Sequence, residues 1–293
     1  DTVEFAKFQP SKHFSQVNAS ILGAVAAASY SKSDHQKMFL NKQSAVKDFE
    51  FLDSADNQSL GIPVPDTDTQ VSLVQTKNAL LVAARGTTPP WESENSNDQE
   101  WGDFESDFVA VPVPNYDGSG KIHKGFKDAA DGIWDQLKPH LQSAIATHKA
   151  IHFSGHSLGA AVALLLADRM AIELHQLPAT VTRYGGPDVG WEDQKTHLET
   201  IGLASRTYNL ENCTDPVPGL LPQGVEAGHD VYFDRHGICD IDEHDHSWDK
   251  TVGAAQDVYH GQPDPTHRHH PEAYMKAISL PENISTFKRL ENL

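Results

Sequence analysis

A chain of 293 residues can bury a sizeable core as one large α/β domain, and 38% hydrophobic with 22% charged residues is an ordinary globular composition, neither disordered nor fibrous. Against 23 basic residues stand 41 acidic ones, a formal charge of −18; nucleic acid is therefore not an expected partner, because phosphate backbones are held by basic patches, and anionic membranes are repelled. The longest apolar stretches, ILGAVAAASY (21–30) and AAVALLLADRM (160–170), fall short of the roughly 20 residues of a bilayer-spanning helix, so no transmembrane anchoring is expected.

The sequence opens on Asp1 with no basic-then-apolar leader, from which a processed, secreted chain is expected. Residues 15–30 read as a helix of small residues. VSLVQTKNALLVAARG (71–86) alternates and then runs apolar, the pattern of a hairpin turning near Lys77 and Asn78. TPPWESENSNDQE (88–100) has two prolines, several acids and Trp91 as its only large apolar side chain, and reads as a surface loop. FVAVPVP (108–114) reads as an edge strand, since proline is kept out of central strands. Helix 124–148, strand 150–154, helix 158–174, strand 180–184, helix 190–201 and strand 205–210 follow in alternation, and HPEAYMKAIS (270–279) closes as a helix. This order predicts one α/β domain over 1–293, a mostly parallel central sheet with helices on both faces. Cys213 and Cys239 would pair in an exported chain, and would equally stand as two thiols in a reduced one.

Within FSGHSLGAA (153–161) one serine is fenced by glycines two places to either side. A GxSxG pattern alone is weak, and a serine at such a junction is commonly a plain helix N-cap. Here it follows an apolar strand and opens a helix, the setting of a strained turn that lifts the hydroxyl at the carboxyl edge of the sheet, with Gly155 and Gly159 removing Cβ atoms that would collide. Ser157 is thus the expected nucleophile. It needs an orienting acid and then a histidine base further along the chain. Asp215, after a strand and stiffened by Pro216 and Pro218, is the preferred acid over Asp188, whose neighbouring glycines suit a turn. His260, His267, His269 and His270 are all late enough to be the base; His270 is selected because it stands just before a helix whose first turn can hold Pro271. The His-rich DEHDHSW (242–248) and THRHH (266–270) match no zinc spacing, and neither metal nor cofactor is expected.

Taken together, RGT (85–87), HKGF (123–126), FSGHSLGAAVA (153–163), RYGGPDVG (183–190), NCTDPVPGLLP (212–222) and HHPEAYMKAI (269–278) resemble the class 3 lipases over about residues 70–280. The resemblance implies an α/β-hydrolase fold, a Ser157–His270–Asp215 triad, and an oxyanion hole formed by Thr87 and Leu158. It also places a lid-like loop at about 88–100, although the family's oil-activated lids are amphipathic and this one is acidic. The function expected is a carboxylic ester hydrolase, first a triacylglycerol lipase meeting lipid interfaces only transiently. Alternatives are an esterase on short-chain or feruloyl esters, a phospholipase A1, an acyltransferase, or a non-catalytic lipid-binding module on the same fold.

Overall fold

The computed structural model describes residues 4–31, 36, 39, 40, 43, 45–57, 68–86, 110–241, 250 and 266–291. Thr87, the segment 88–100, His260 and DEHDHSW lie outside them. Strands β1 (Asp48–Asp53), β2 (Gln70–Gln75), β3 (Ala79–Ala84), β6 (Ala150–His156), β7 (Thr180–Tyr184), β8 (Thr207–Asn212), β9 (His229–Phe233) and β10 (Cys239–Ile241) lie side by side in that order in one eight-stranded sheet. The run β3–β6–β7–β8–β9 is parallel, while β1–β2–β3 and β9–β10 pair antiparallel at the edges. Among the described residues no helix is long and apolar enough to cross a membrane.

The central strands are apolar runs because both their faces are covered; every residue of β3 is buried. Residues of opposite parity feed opposite layers. Leu80 and Val82 of β3 and Ile151 and Phe153 of β6 meet helices α2 (Lys124–Ala146) and α3 (Leu158–Leu174) through Trp134, Leu137, Leu165 and Leu166. Leu81 and Ala83 pack on Ile21, Leu22 and Val25 of α1 (Gln16–Ala28), and Tyr184, Leu210 and Phe233 pack on Tyr274 and Ile278 of α6 (Pro271–Ile278) and Phe287 of α7 (Ile284–Leu290). Each fully buried aliphatic or phenyl side chain contributes about 1.5–3 kcal/mol. The third crossover helix is α4 (Glu192–Thr200), and a single turn, α5 (Thr266–His269), precedes α6.

Among the described residues of FVAVPVP, Pro112–Pro114 is strand (β4), and it holds the expected edge position, paired with β5 (Lys121–His123) in a separate two-stranded ribbon. Two prolines in three residues leave too few N–H donors to join a ladder on both sides. Cys213 and Cys239 are buried thiols rather than a disulfide, and burial pushes the Cys239 thiol up to about 12.

Candidate active site

Strand β6 ends at His156, and α3 begins at Leu158. Between them Ser157 takes φ 59° and ψ −136°, a conformation that costs an L residue on the order of 1–3 kcal/mol. It is held there by its N–H, which donates to Tyr184 O on β7 at 3.0 Å, and by packing that admits no side chain on either flank. A Cβ on Gly155 would stand 2.2 Å from Gly159 O, and one on Gly159 would stand 2.3 Å from Ala84 O of β3. The fence therefore has two functions: Gly155 lets the turn close, and Gly159 lets α3 lie against β3. Leu158, the first residue of α3, presents its N–H at that helix N-terminus. A Cβ on Gly86 would lie 3.1 Å from Ser157 Cβ, so the RGT segment reaches the Ser157 turn at Gly86.

Asp215 follows β8 on a loop fixed by Asp215 N–H donating to Asn212 O at 3.0 Å and Val217 N–H donating to Asp215 Oδ1 at 2.9 Å. Its partner is His269, in correction of the expected His270. His269 Nδ1 lies 3.0 and 2.9 Å from the two Asp215 oxygens, and both side chains are buried. Since a carboxylate only accepts, Nδ1 carries the proton and Nε2 is the basic nitrogen. His270 is the half-buried residue capping α6, with φ −60° and ψ 136°, and makes no side-chain cap bond. The proline after it imposes that extended backbone. The side chain of His267 and all of His260 lie outside the described residues.

Three residues that sequence reasoning gave no role complete the cluster. His156 is buried beside Ser157; its Nε2 donates to His269 O at 2.5 Å and its Nδ1 accepts from Tyr30 Oη at 2.8 Å. Its ring lies 4.5 Å from that of His269. Burial, then the neighbouring charges of His269 and His270, hold its pKa well below the usual histidine range, so it stays neutral and fixes the backbone of His269. Tyr274 Oη donates to Asp215 Oδ2 and accepts from Asn212 N–H at 3.3 Å. The HHPEAY spacing contained this tyrosine; nothing in the sequence marked Tyr30.

The alternative acid, Asp188, is packed against Gly224, and burial pushes its carboxyl up to about 6 despite the nearby Arg183 and Lys195. A second chain of polar groups shares no residue with the Asp215–His269 pair: Asp168 Oδ1 to His197 Nε2 at 2.7 Å, and His197 Nδ1 to Ser119 Oγ at 2.6 Å. Asp168 is on α3, His197 on α4 and Ser119 in the β4–β5 turn, so this chain ties three elements together. Burial lowers the His197 pKa, but the Asp168 hydrogen bond and charge and the Asp117 charge outweigh it and raise the value.

Residues 81–225 match the family model for Lipase (class 3). A chloroplastic phospholipase A1 of Arabidopsis thaliana, PLIP2, is 37% identical over 94 residues, a match covering 29% of this chain and 13% of that protein's length. Among solved structures, a triacylglycerol lipase described as having a serine-protease triad at its catalytic centre superposes with a TM-score of 0.62 at 18% identity, covering 80% of this chain and 88% of its own. The Rhizomucor miehei triacylglyceride lipase gives 0.58 at 20% identity over 74% and 80% of the two chains, and the Yarrowia lipolytica LIP2 lipase 0.54 at 19% over 76% and 81%. These likenesses show the fold to be the α/β-hydrolase fold.

Proposed function

We propose that this chain, which belongs with the class 3 lipases through its residues 81–225, hydrolyses carboxylic esters of lipid type as a single domain with a lid-like segment at 88–100. Ser157 Oγ attacks the ester carbonyl carbon while His269 Nε2 takes its proton; Asp215 holds the imidazole with Nδ1 protonated and stabilises the imidazolium. The N–H groups of Thr87 and Leu158 receive the oxyanion, a contribution typically worth 10² to 10³ in rate per donor. The imidazolium then protonates the departing alkoxide, and water, activated by the same histidine, releases the acyl group from Ser157.

The observation that carries this reading is the buried Asp215–His269 pair, whose imidazole lies against His156, next to a serine on a strained strand-to-helix turn. This supports the reading because a serine hydroxyl becomes a nucleophile only with a base, and the base needs an acid to orient it. The fold likeness favours triacylglycerol and the plant relative favours a phospholipid; the acidic 88–100 segment, with little apolar area to bury on an oil surface, favours weak interfacial activation. A panel of p-nitrophenyl esters from C2 to C16, an emulsified triglyceride and a phospholipid tests the reading. Turnover of at least one ester, abolished in Ser157→Ala with the fold intact, is expected; retained turnover in that variant would place the nucleophile elsewhere.

A further inference from the structure

A cavity of about 530 Å³ opens on the α1 side of the sheet, beside the RGT segment. That volume lies in the range of small-molecule sites. Tyr30 joins it to the site of bond cleavage. The Tyr30 side chain lines the cavity, its hydroxyl is bonded to His156, and a Cβ on Gly86 would stand 2.2 Å from Tyr30 Oη on one side and 3.1 Å from Ser157 Cβ on another. Another wall residue, Arg85, immediately precedes Gly86.

The walls set the apolar Phe51, Leu52 and Val71 beside polar groups that are already braced. Asp53 accepts from Gln70 Nε2 at 2.7 Å and from Ala55 N–H at 2.9 Å. Gln36 donates to Ser31 O at 2.8 Å and accepts from Ser72 Oγ at 3.0 Å. Arg85 donates one nitrogen to Asp68 Oδ2 at 3.1 Å. What these groups still offer is mixed: N–H donors on Arg85, acceptor lone pairs on Asp53 and on Gln70 Oε1, and the two-way hydroxyl of exposed Ser31 at the rim. An acyl chain would strip water from these groups and return no hydrogen bond. A phosphate would meet the Asp53 carboxylate in the same cavity, an arginine already neutralised by Asp68, and a molecule of formal charge −18. A ligand whose every polar group both donates and accepts, and which carries no charge, satisfies the whole set.

Resting on the ester-hydrolase reading, we infer that this cavity receives the uncharged polyhydroxylated part of the substrate, a sugar, while the acyl carbonyl attached to it lies at Ser157. The ligand chemistry is the same whether the sugar is the headgroup of a diacylglycerol or a free acylated sugar.

The experiment compares kcat/KM on octanoyl glucose and methyl octanoate, which share an acyl group, and on a glycosyl diacylglycerol and a phosphatidylcholine in the same mixed micelles. In the wild type the sugar ester is expected to be favoured over the methyl ester by about tenfold or more. Asp53→Ala, which removes an acceptor, and Ser31→Trp, which fills the rim from an exposed position, should each bring that ratio toward one. A glycosyl diacylglycerol favoured over phosphatidylcholine points to the lipid-headgroup source, and a sugar preference confined to octanoyl glucose points to the free sugar; either upholds the site. A ratio near one in the wild type, a preference that survives both substitutions, or a phosphatidylcholine preference that grows in Asp53→Asn overturns it. Turnover of methyl octanoate with no sugar preference overturns this inference alone, whereas no turnover of any ester overturns the hydrolase reading and this inference together.

Discussion

At His269 the backbone is completing a single helical turn, and at His270 it is already extended ahead of Pro271. Consecutive side chains leave such a junction in different directions, and the first reaches Asp215. His269→Ala is therefore expected to lower kcat on p-nitrophenyl butyrate by about 10³ or more, as loss of a triad histidine does. His270→Ala, which removes no side-chain cap bond and leaves the Asp215–His269 pair in place, should leave kcat within a few fold. The reverse ranking would return the base to position 270. Ser157 and Asp215 were legible because glycines and prolines announce the backbone each of them needs. The histidine was not: all four late histidines satisfy the chain order, and the choice between neighbours depends on a side-chain direction that spacing does not encode. Tyr30 was invisible for a related reason, since its partner His156 lies 126 positions away.

The helix behind the nucleophile depends on a contact between backbones. Gly159 sits where a Cβ would stand 2.3 Å from Ala84 O and 2.7 Å from Arg85 C, atoms of β3 and of the strand end leading to Thr87. Neither can swing aside as a flexible side chain would, so Gly159→Ala must push α3 off the sheet. A destabilisation of about 1–3 kcal/mol is expected, as for other overpacked sites, lowering Tm by several degrees. Activity should fall further than stability, because the same shift moves Leu158 N–H relative to Gly86 and its neighbour Thr87. Calorimetry beside initial rates checks this, and an unchanged Tm would show that α3 has slack. At this scale the alternation of β6, α3, β7 and β8 was readable from continuous apolar runs. Strand β1 was not, since DFEFLD carries three acids, with Asp48 and Glu50 exposed, and is strand because β2 offers it a partner. Strands β9 and β10 were missed for a similar reason: HDVYF and CDI are short, acid-bearing segments, the second at the sheet edge, and their order comes from the pairing of β9 with β8 and of β10 with β9.

Over the whole molecule, the formal charge of −18 counts carboxylates that the fold keeps protonated. Glu211 on β8 is pushed up to about 8, first by burial and then by the charge of Asp230, and Glu226 is raised well above its ordinary value by burial and by Glu211. A carboxyl whose folded pKa is raised binds its proton more tightly in the native state, so its contribution to stability is complete below about 4.5 and is lost as pH rises through about 8. His152 acts in the opposite sense. Burial lowers it to about 3, so its contribution is complete above about 6.5 and is lost as pH falls through 3. The raised value of His197 adds to the alkaline loss. Stability should therefore peak on the acid side of neutrality and decline from about pH 6.5 to 8. Glu211→Gln keeps the shape of the protonated side chain and removes its titration, so Tm measured against pH should decline less steeply above neutrality in that variant while its acid limb is unchanged. A variant curve parallel to the wild type from pH 6.5 to 8 would mean that Glu211 ionises in the native state without cost, and that the alkaline loss comes from other groups.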